Sequence, residues 1–178
     1  MKKIKVGING FGRVGRAFLK IAWDRPEIEI VAVNDLGSID NMAYLLKYDT
    51  AYGKWNHEIK VEGEYLVIDD KKVKVLAEKD PSKLPWKDLG VDVALEATGI
   101  FVTYASSKVH LDAGAKKVVV TAPMKDEPQA GVEGATVLMG VNEEKLETCL
   151  ITSNASCTTN AGSPLIAILD EGLGIEKA

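Results

Sequence analysis

Residues Lys3 to Arg16 read KIKVGINGFGRVGR, and this segment gives the clearest indication of the fold. Ile4, Val6 and Ile8 alternate with polar or small residues, which is the pattern of a half-buried β-strand. A glycine-rich turn follows the strand. Apolar residues then recur at helical spacing, at Val14, Ala17, Phe18, Ile21 and Ala22. The stretch therefore predicts a strand, a tight turn and a helix, in that order.

The turn has the spacing G-x-G-x-x-G at Gly10, Gly12 and Gly15. Glycines so spaced allow a tight turn, a close approach of the backbone to a pyrophosphate and close packing of the helix on the strand. A helix that begins there directs unpaired N–H groups and the positive end of its dipole at an anion. The pattern alone is weak evidence, because many glycine-rich turns bind nothing.

An acidic residue strengthens the interpretation. The second predicted strand, Ile28 to Val33, is followed by Asn34 and Asp35, and Asp35 lies twenty positions after Gly15. A carboxylate at that distance accepts hydrogen bonds from the ribose hydroxyls of an adenosine and repels a 2′-phosphate. We expect NAD as the cofactor and disfavour NADP. The alternative is that Asp35 only caps the next turn.

Composition excludes several classes of protein. The 178 residues suit one domain with a sizeable core. The net charge of −4 gives no general attraction to nucleic acid or to anionic membranes. No apolar run approaches a membrane span, and no signal peptide is recognisable, so a cytoplasmic protein is expected. The two cysteines and two histidines have no metal-ligand spacing, so we expect no structural zinc site.

The remainder of the chain alternates predicted strands and helices. A helix is predicted over Ile39 to Leu46, a loop over Lys47 to Gly53, and a helix over Tyr104 to Ala113. Strands are predicted at Glu58 to Lys60, Tyr65 to Ile68, Val73 to Leu76, Val91 to Leu95, Lys117 to Val120, Val137 to Gly140 and Leu150 to Ile151. This pattern indicates an α/β fold, a doubly wound and mainly parallel Rossmann-type sheet with a small antiparallel excursion.

Ligands of such sheets bind beyond the carboxyl ends of the strands. Thr98 and Gly99 follow one predicted strand, and Thr121 follows the next. From the residues alone, these three positions are equally well explained as cleft-lining residues and as ordinary turn residues.

Cys157 is the candidate nucleophile. It lies in SNASCTTN, residues 153–160, just before an apolar run of helical length. Serine and asparagine are good N-cap residues, so we expect Cys157 in the first turn of a helix, where the dipole and free N–H groups favour a thiolate. The same N–H groups could hold an oxyanion. Cys149, in an apolar context, is expected to be a buried structural residue.

These motifs together resemble phosphorylating glyceraldehyde-3-phosphate dehydrogenase. The resemblance runs in order through the whole chain, in segments that begin with GINGFGRVGR at residue 7 and end with SNASCTTN at residue 153. The others are VNDL at 33, LKYD at 46, EATG at 96, GAKKV at 114 and TAP at 121.

The resemblance implies roles for individual residues. Arg13 and Val14 would present their backbone to the pyrophosphate, Lys79 would lie near the adenine, and Cys157 would be the nucleophile, with Ser156 and Thr158 beside the substrate. Thr98, Gly99 and Thr121 would line the cleft towards the nicotinamide. The candidate cofactor-binding set is therefore Gly10, Phe11, Gly12, Arg13, Val14, Gly15, Asn34, Asp35, Lys79, Thr98, Gly99 and Thr121.

The implied reaction oxidises glyceraldehyde 3-phosphate with NAD and inorganic phosphate through a cysteine thioester. Erythrose 4-phosphate as the substrate and a non-catalytic NAD-binding module are the alternatives. The family continues beyond the nucleophile helix and forms homotetramers. We therefore expect an NAD-binding domain at residues 1–152 and the start of a catalytic domain at 153–178. A fragment of this kind should bind NAD with little or no turnover, and it could self-associate.

Overall fold

The computed structural model describes residues 2–128 and 131–176. Within them, nine strands form one sheet and two short strands form a separate hairpin. The strands in chain order are β1 (Ile4–Asn9), β2 (Ile28–Asn34), β3 (Tyr48–Asp49), β4 (Gly53–Lys54), β5 (Ile59–Glu62), β6 (Tyr65–Ile68), β7 (Lys71–Leu76), β8 (Val93–Glu96), β9 (Lys117–Val120), β10 (Gly134–Thr136) and β11 (Ile151–Ser153).

Six α-helices lie within the same residues, and polar side chains begin several of them. They are α1 (Arg13–Trp23), α2 (Ile39–Lys47), α3 (Trp86–Leu89), α4 (Tyr104–Ser107), α5 (Val109–Asp112) and α6 (Cys157–Leu173). Ser38 caps α2, Thr103 forms a capping box at α4, and Ser156 caps α6. Each hydroxyl accepts a hydrogen bond from an N–H group of the first turn, which fixes where the helix starts.

The order of strands in the large sheet is β10-β11-β9-β8-β1-β2-β7-β6-β5. The seven strands from β10 to β7 are parallel, and β5, β6 and β7 pair antiparallel at one end. This arrangement confirms the predicted doubly wound sheet and its antiparallel excursion. It also brings the carboxyl ends of the parallel strands to one edge of the sheet.

Apolar residues cover both faces of the sheet. On one face, Val6 and Ile8 of β1 join a cluster with Leu19 and Ala22 of α1. A second cluster groups Ala32 of β2 and Ala94 of β8 with the fully buried Trp86. A side chain at Gly7 would lie 2.7 Å from the Trp86 ring, so the glycine leaves room for the indole.

Three predicted elements differ from the structure. The strand predicted at Val137 to Gly140 is wrong, since the strand is β10 (Gly134–Thr136) and the chain turns at Gly140 with φ +77. The helix predicted over Tyr104 to Ala113 is divided into α4 and α5 at Lys108. The predicted loop after α2 contains the β3–β4 hairpin.

The predicted domain boundary after residue 152 falls inside β11, and the division stays a prediction. No helix among residues 2–128 and 131–176 combines the length and apolar character that a bilayer crossing requires.

Candidate functional site

The carboxyl ends of six parallel strands lie level along one edge of the sheet. Backbone hydrogen bonds show this: in each case the N–H group of the residue that follows one strand donates to the carbonyl of the last residue of the adjacent strand. These bonds are Gly10 N to Asn34 O at 2.8 Å, Ala97 N to Asn9 O at 2.7 Å, Asp35 N to Leu76 O at 3.0 Å, Thr121 N to Glu96 O at 3.0 Å and Asn154 N to Val120 O at 2.9 Å. The segments that follow the six strands therefore form a continuous row.

The glycine turn lies near the middle of this row, between β1 and α1. Gly10 has φ +95, and a side chain there would come within 2.6 Å of the Thr98 nitrogen, while one at Gly15 would overlap the Gly10 carbonyl oxygen. Gly12 is exposed, and a side chain at that position would meet no atom within 4 Å. Gly10 and Gly15 therefore permit the turn and its packing, whereas Gly12 borders open space.

The open space at Gly12 lies at the start of α1, an eleven-residue helix that begins at Arg13 with no side-chain cap. The first N–H groups of such a helix are donors without an intrahelical partner, and they attract an anion. Val14 is half exposed beside them, and Arg16 donates from Nη1 to the Phe11 carbonyl at 2.8 Å. This local geometry fits a pyrophosphate approached by the backbone.

Asp35 follows β2, on one side of the turn. Its carboxylate accepts hydrogen bonds from Phe11 N at 2.8 Å and from Gly37 N at 3.0 Å, one on each oxygen. A carboxylate has about four acceptor positions, so lone pairs remain for two hydroxyl donors. The Phe11 contact places this negative charge against the glycine turn, and the Gly37 contact is an Asx turn of the kind that the alternative interpretation predicted.

The adjacent residue Asn34 holds the segment after β7. Its side chain accepts from Glu78 N and donates to Glu78 O, both at 2.8 Å, and Asn34 is only 4% exposed. Lys79 follows Glu78 and is exposed. Asn34 is therefore turned towards the protein interior, and it fixes the backbone beside Lys79 rather than facing solvent.

Thr98, Gly99 and Thr121 lie on the other side of the glycine turn, after β8 and β9. Thr98 donates from its backbone nitrogen and from Oγ1 to the Glu96 carboxylate, while its Oγ1 accepts from Ile100 N at 3.1 Å. Gly99 has φ +73 and is exposed. Thr121 Oγ1 donates to the Glu96 carbonyl at 3.1 Å. Both threonine hydroxyls thus bond to protein atoms.

Cys157 is exposed and is the first residue of α6, a seventeen-residue helix that follows β11. Ser156 Oγ accepts from Thr159 N at 3.1 Å and contacts the Thr158 hydroxyl at 2.8 Å, so it serves as the N-cap. Ala155 has φ +57, an uncommon conformation for alanine. The predicted position of Cys157 at a helix start is confirmed. Cys149 is buried, as predicted.

Hydrogen bonds fix the loop between β11 and α6. Ser153 Oγ donates to the Ala122 carbonyl at 2.7 Å and accepts from Ala155 N at 3.0 Å. The Asn160 amide donates to the carbonyls of Asn154 at 2.7 Å and of Ser156 at 2.9 Å. The start of α6 is therefore tied to the segment after β9, which keeps the thiol at the same edge of the sheet.

A buried row of polar side chains crosses beneath this edge, and we call it the polar ladder. It consists of Asn34, Asn9, Glu96, His110 and Trp86. Asn34 Nδ2 donates to Asn9 Oδ1 at 2.7 Å, and Asn9 Nδ2 donates to Glu96 Oε2 at 2.7 Å. His110 Nε2 lies 2.9 Å from Glu96 Oε2, and Trp86 Nε1 donates to His110 Nδ1 at 3.1 Å. Sequence reasoning missed Asn9 and Glu96, although polar residues that end apolar strands were a visible signal.

Among residues 2–128 and 131–176, no three histidine, cysteine or acidic side chains form a group that could hold a metal ion. The site instead has the three features of a doubly wound dinucleotide-binding domain. These are a glycine turn at a helix start, a carboxylate after the adjacent strand and an open edge where parallel strands end.

Comparison with known proteins identifies the family within this class. Residues 4–104, more than half of the chain, match the family model described as glyceraldehyde 3-phosphate dehydrogenase, NAD binding domain. The chain therefore belongs to the glyceraldehyde 3-phosphate dehydrogenase family, and the cofactor of this domain is NAD.

Curated relatives extend the match across the chain. A glyceraldehyde-3-phosphate dehydrogenase from Eremothecium gossypii is 49% identical over 175 residues, which are 98% of this chain and 51% of the relative. The enzyme from Salmonella typhimurium and glyceraldehyde-3-phosphate dehydrogenase A from Escherichia coli K12 are each 48% identical over 172 residues, 97% of this chain. The chain thus spans about half the length of these relatives.

Proposed function

We propose that this chain supplies the NAD site and the nucleophile of a phosphorylating glyceraldehyde-3-phosphate dehydrogenase. The observation that carries the proposal is that the exposed Cys157 begins α6 at the sheet edge that holds the glycine turn and Asp35. The full enzyme would convert glyceraldehyde 3-phosphate and inorganic phosphate to 1,3-bisphosphoglycerate. The membership of the family supports this assignment.

The order of strands gives the direction in which the cofactor would lie. Asp35, after β2, would accept the adenosine ribose hydroxyls, and the turn from Gly10 to Gly15 would receive the pyrophosphate. Since β1 lies between β2 and β8, the second nucleotide would continue over the ends of β8 and β9. Thr98, Gly99 and Thr121 would therefore border the nicotinamide, and Lys79, after β7, would lie near the adenine.

Individual residues of the turn have separate parts in this proposal. Gly12 lets the backbone approach the pyrophosphate, and the N–H groups of Arg13 and Val14 face it at the start of α1. Phe11 is 2% exposed, and its N–H group bonds to Asp35, so it joins the turn to the ribose position. Asn34 would act from below by holding the backbone before Lys79.

The thiolate of Cys157 would attack the aldehyde carbon, and the free N–H groups at the start of α6 would stabilise the oxyanion of the resulting thiohemiacetal. NAD, when bound, supplies the acceptor for the hydride that leaves this carbon. Loss of the hydride leaves a thioester on Cys157. An oxygen of inorganic phosphate then attacks the acyl carbon, the C–S bond breaks, and the acyl phosphate departs. Ser156 and Thr158 would lie beside the substrate.

The isolated chain is proposed to bind NAD with little or no turnover. A general base must take the thiol proton, and both histidines have other contacts, His110 with Trp86 and Glu96 and His57 with Asp69. For the whole enzyme we propose a cytoplasmic homotetramer. We also propose self-association of this chain, because Leu165, Ile168 and Leu173 of α6 are 62%, 66% and 82% exposed.

Thiol alkylation tests the nucleophile. We expect iodoacetamide to alkylate Cys157 at neutral pH at least about tenfold faster than it alkylates glutathione, because the sulfur is exposed beside the free N–H groups that begin α6. The Cys149→Ser variant should keep this fast phase, whereas Cys157→Ser should lose it. A Cys157 rate no higher than that of glutathione would contradict the nucleophilic role and favour a non-catalytic NAD-binding module.

Turnover is measured on the same preparations with glyceraldehyde 3-phosphate, NAD and phosphate, by following NADH formation. The proposal expects little or none from the isolated chain. A rate near that of the full-length relatives would contradict the expectation that this half requires further residues.

A further inference from the structure

We propose that Glu96 is a positioning residue for the nicotinamide half of the NAD site and that it acts through Thr98. The inference rests on the proposed course of the dinucleotide across the ends of β8 and β9. It concerns a carboxylate that is 1% exposed and therefore acts from beneath the cleft.

Four donors converge on the Glu96 carboxylate. Oε2 receives the Asn9 amide at 2.7 Å and lies 2.9 Å from His110 Nε2. Oε1 receives the Thr98 backbone nitrogen at 2.8 Å and the Thr98 hydroxyl. An ionised carboxylate accepts about four hydrogen bonds, so its acceptor positions are filled by groups of the protein.

The donors on Oε2 fix the direction in which Oε1 points. Trp86 Nε1 can only donate, so His110 Nδ1 accepts from it and carries no proton, and the single ring proton of His110 is on Nε2. That N–H group therefore donates to Glu96. Asn9 is held in turn by Asn34, so two buried residues hold one oxygen and leave the other for Thr98.

The consequence lies in the backbone after β8. The Thr98 nitrogen and hydroxyl are both bound to Glu96, and Ile100 N donates to the same hydroxyl at 3.1 Å. These bonds fix the turn at Gly99, whose φ is +73 and whose surface is exposed. The shape of the cleft floor over β8 thus depends on a buried carboxylate that no ligand could reach.

Two pairs of variants test the proposal with two ligands, NAD and ADP, where ADP lacks the nicotinamide nucleotide. Thr98→Val removes one donor to Glu96, and Thr98→Ser keeps it. His110→Leu removes the ring donor, whereas His110→Gln offers an amide in place of Nε2. Since His110 is fully buried, it can influence a ligand only through its neighbours. Dissociation constants are measured by calorimetry, and stability is measured by thermal unfolding.

We expect Thr98→Val and His110→Leu to raise the dissociation constant for NAD by about tenfold, because the backbone after β8 is no longer held in position by Glu96. The constant for ADP should change by less than about twofold, and Thr98→Ser and His110→Gln should restore most of the NAD affinity. Val73→Ala is the matched control, because it removes buried volume from β7 away from the ladder. It should lower stability without changing the ratio of the two constants.

Three results would overturn the positioning role and leave NAD binding itself intact. The variants could weaken NAD and ADP binding equally, or Thr98→Val could leave the dissociation constant for NAD unchanged. Val73→Ala could also change the ratio of the NAD and ADP constants as much as Thr98→Val and His110→Leu do. Where His110→Leu fails to fold, Asn9→Ala replaces it, because this variant removes the other donor to Glu96 Oε2 from a buried position. Absence of NAD binding by the unsubstituted chain would overturn the proposed function together with this inference.

Discussion

Asp92 ties together the amino ends of β1, β8 and β9, opposite the candidate site. Its carboxylate accepts from Lys5 N at 3.0 Å and from Lys116 Nζ at 2.5 Å, and its backbone carbonyl accepts from Lys117 N at 3.0 Å. The hydrogen bond from Lys116, followed by that from Lys5 N, holds the pKa of Asp92 below its usual value. The ionised form therefore stabilises the folded chain.

A lowered pKa in the folded state has a defined consequence for stability. The contribution of Asp92 is fully present above the unfolded pKa of about 3.9, and it is lost as the pH falls through the lower folded value. We expect Asp92→Asn to reduce the free energy of unfolding at pH 6 by about 1 kcal/mol. The difference from the unsubstituted chain should disappear in strongly acidic solution.

Urea unfolding of both proteins between pH 2 and pH 6 measures this. Glu147→Gln, at an exposed position, is the control and should follow the unsubstituted chain. The role of the charge would be contradicted if Asp92→Asn lowered the free energy of unfolding by the same amount at every pH.

Among single residues, the sequence predicted the position of Cys157 at a helix start but not the contacts of Glu96. The N-cap residues around Cys157 are local, so its place at a helix start could be read from its immediate neighbours. Glu96 bonds to Asn9 across 87 positions in the chain. That contact exists only because β8 pairs with β1, and no local pattern encodes this pairing.

Two glycines in the turn between β1 and α1 serve different purposes, Gly15 in packing and Gly12 in the proposed binding of the pyrophosphate. A side chain at Gly15 would overlap the Gly10 carbonyl oxygen, whereas one at Gly12 would enter open space. We expect Gly15→Ala to lower the free energy of unfolding by about 2 kcal/mol through overpacking. Gly12→Ala should change it by less than about 0.5 kcal/mol, yet weaken NAD binding by at least about tenfold, because its methyl group would occupy the pyrophosphate position.

Urea unfolding and NAD titration of the two variants check this prediction together, and each variant serves as the control for the other. Unchanged NAD affinity in Gly12→Ala would show that the pyrophosphate does not lie against this turn. Full stability of Gly15→Ala would contradict the proposed packing of α1 on β1.

Elements with a strong period were predictable, and so were short apolar strands such as β6 and β9, but one short apolar run was misread. The alternation in β1 and the helical spacing in α1 each extend over several residues. Val137 and Leu138 are buried as strand residues would be, but Asn142 Oδ1 accepts from Leu138 N at 2.8 Å, and the chain turns there. Burial alone did not distinguish a strand from a buried turn.

On the scale of the whole molecule, the order of strands assembles the candidate site. Its proposed members come from segments after β7, β2, β1, β8, β9 and β11, and this is also their order along the sheet. Alternating strands and helices predicted a doubly wound sheet, but not which strands are adjacent. The placement of β11 beside β9, which brings Cys157 to the edge, could be seen only in the structure.

Calorimetric titration of the isolated chain with NAD and with NADP tests whether a dinucleotide lies across this edge with its adenosine ribose on Asp35. We expect one site for NAD and binding of NADP at least about tenfold weaker, because the carboxylate repels a 2′-phosphate. Absence of NAD binding, or equal affinity for the two dinucleotides, would contradict the account.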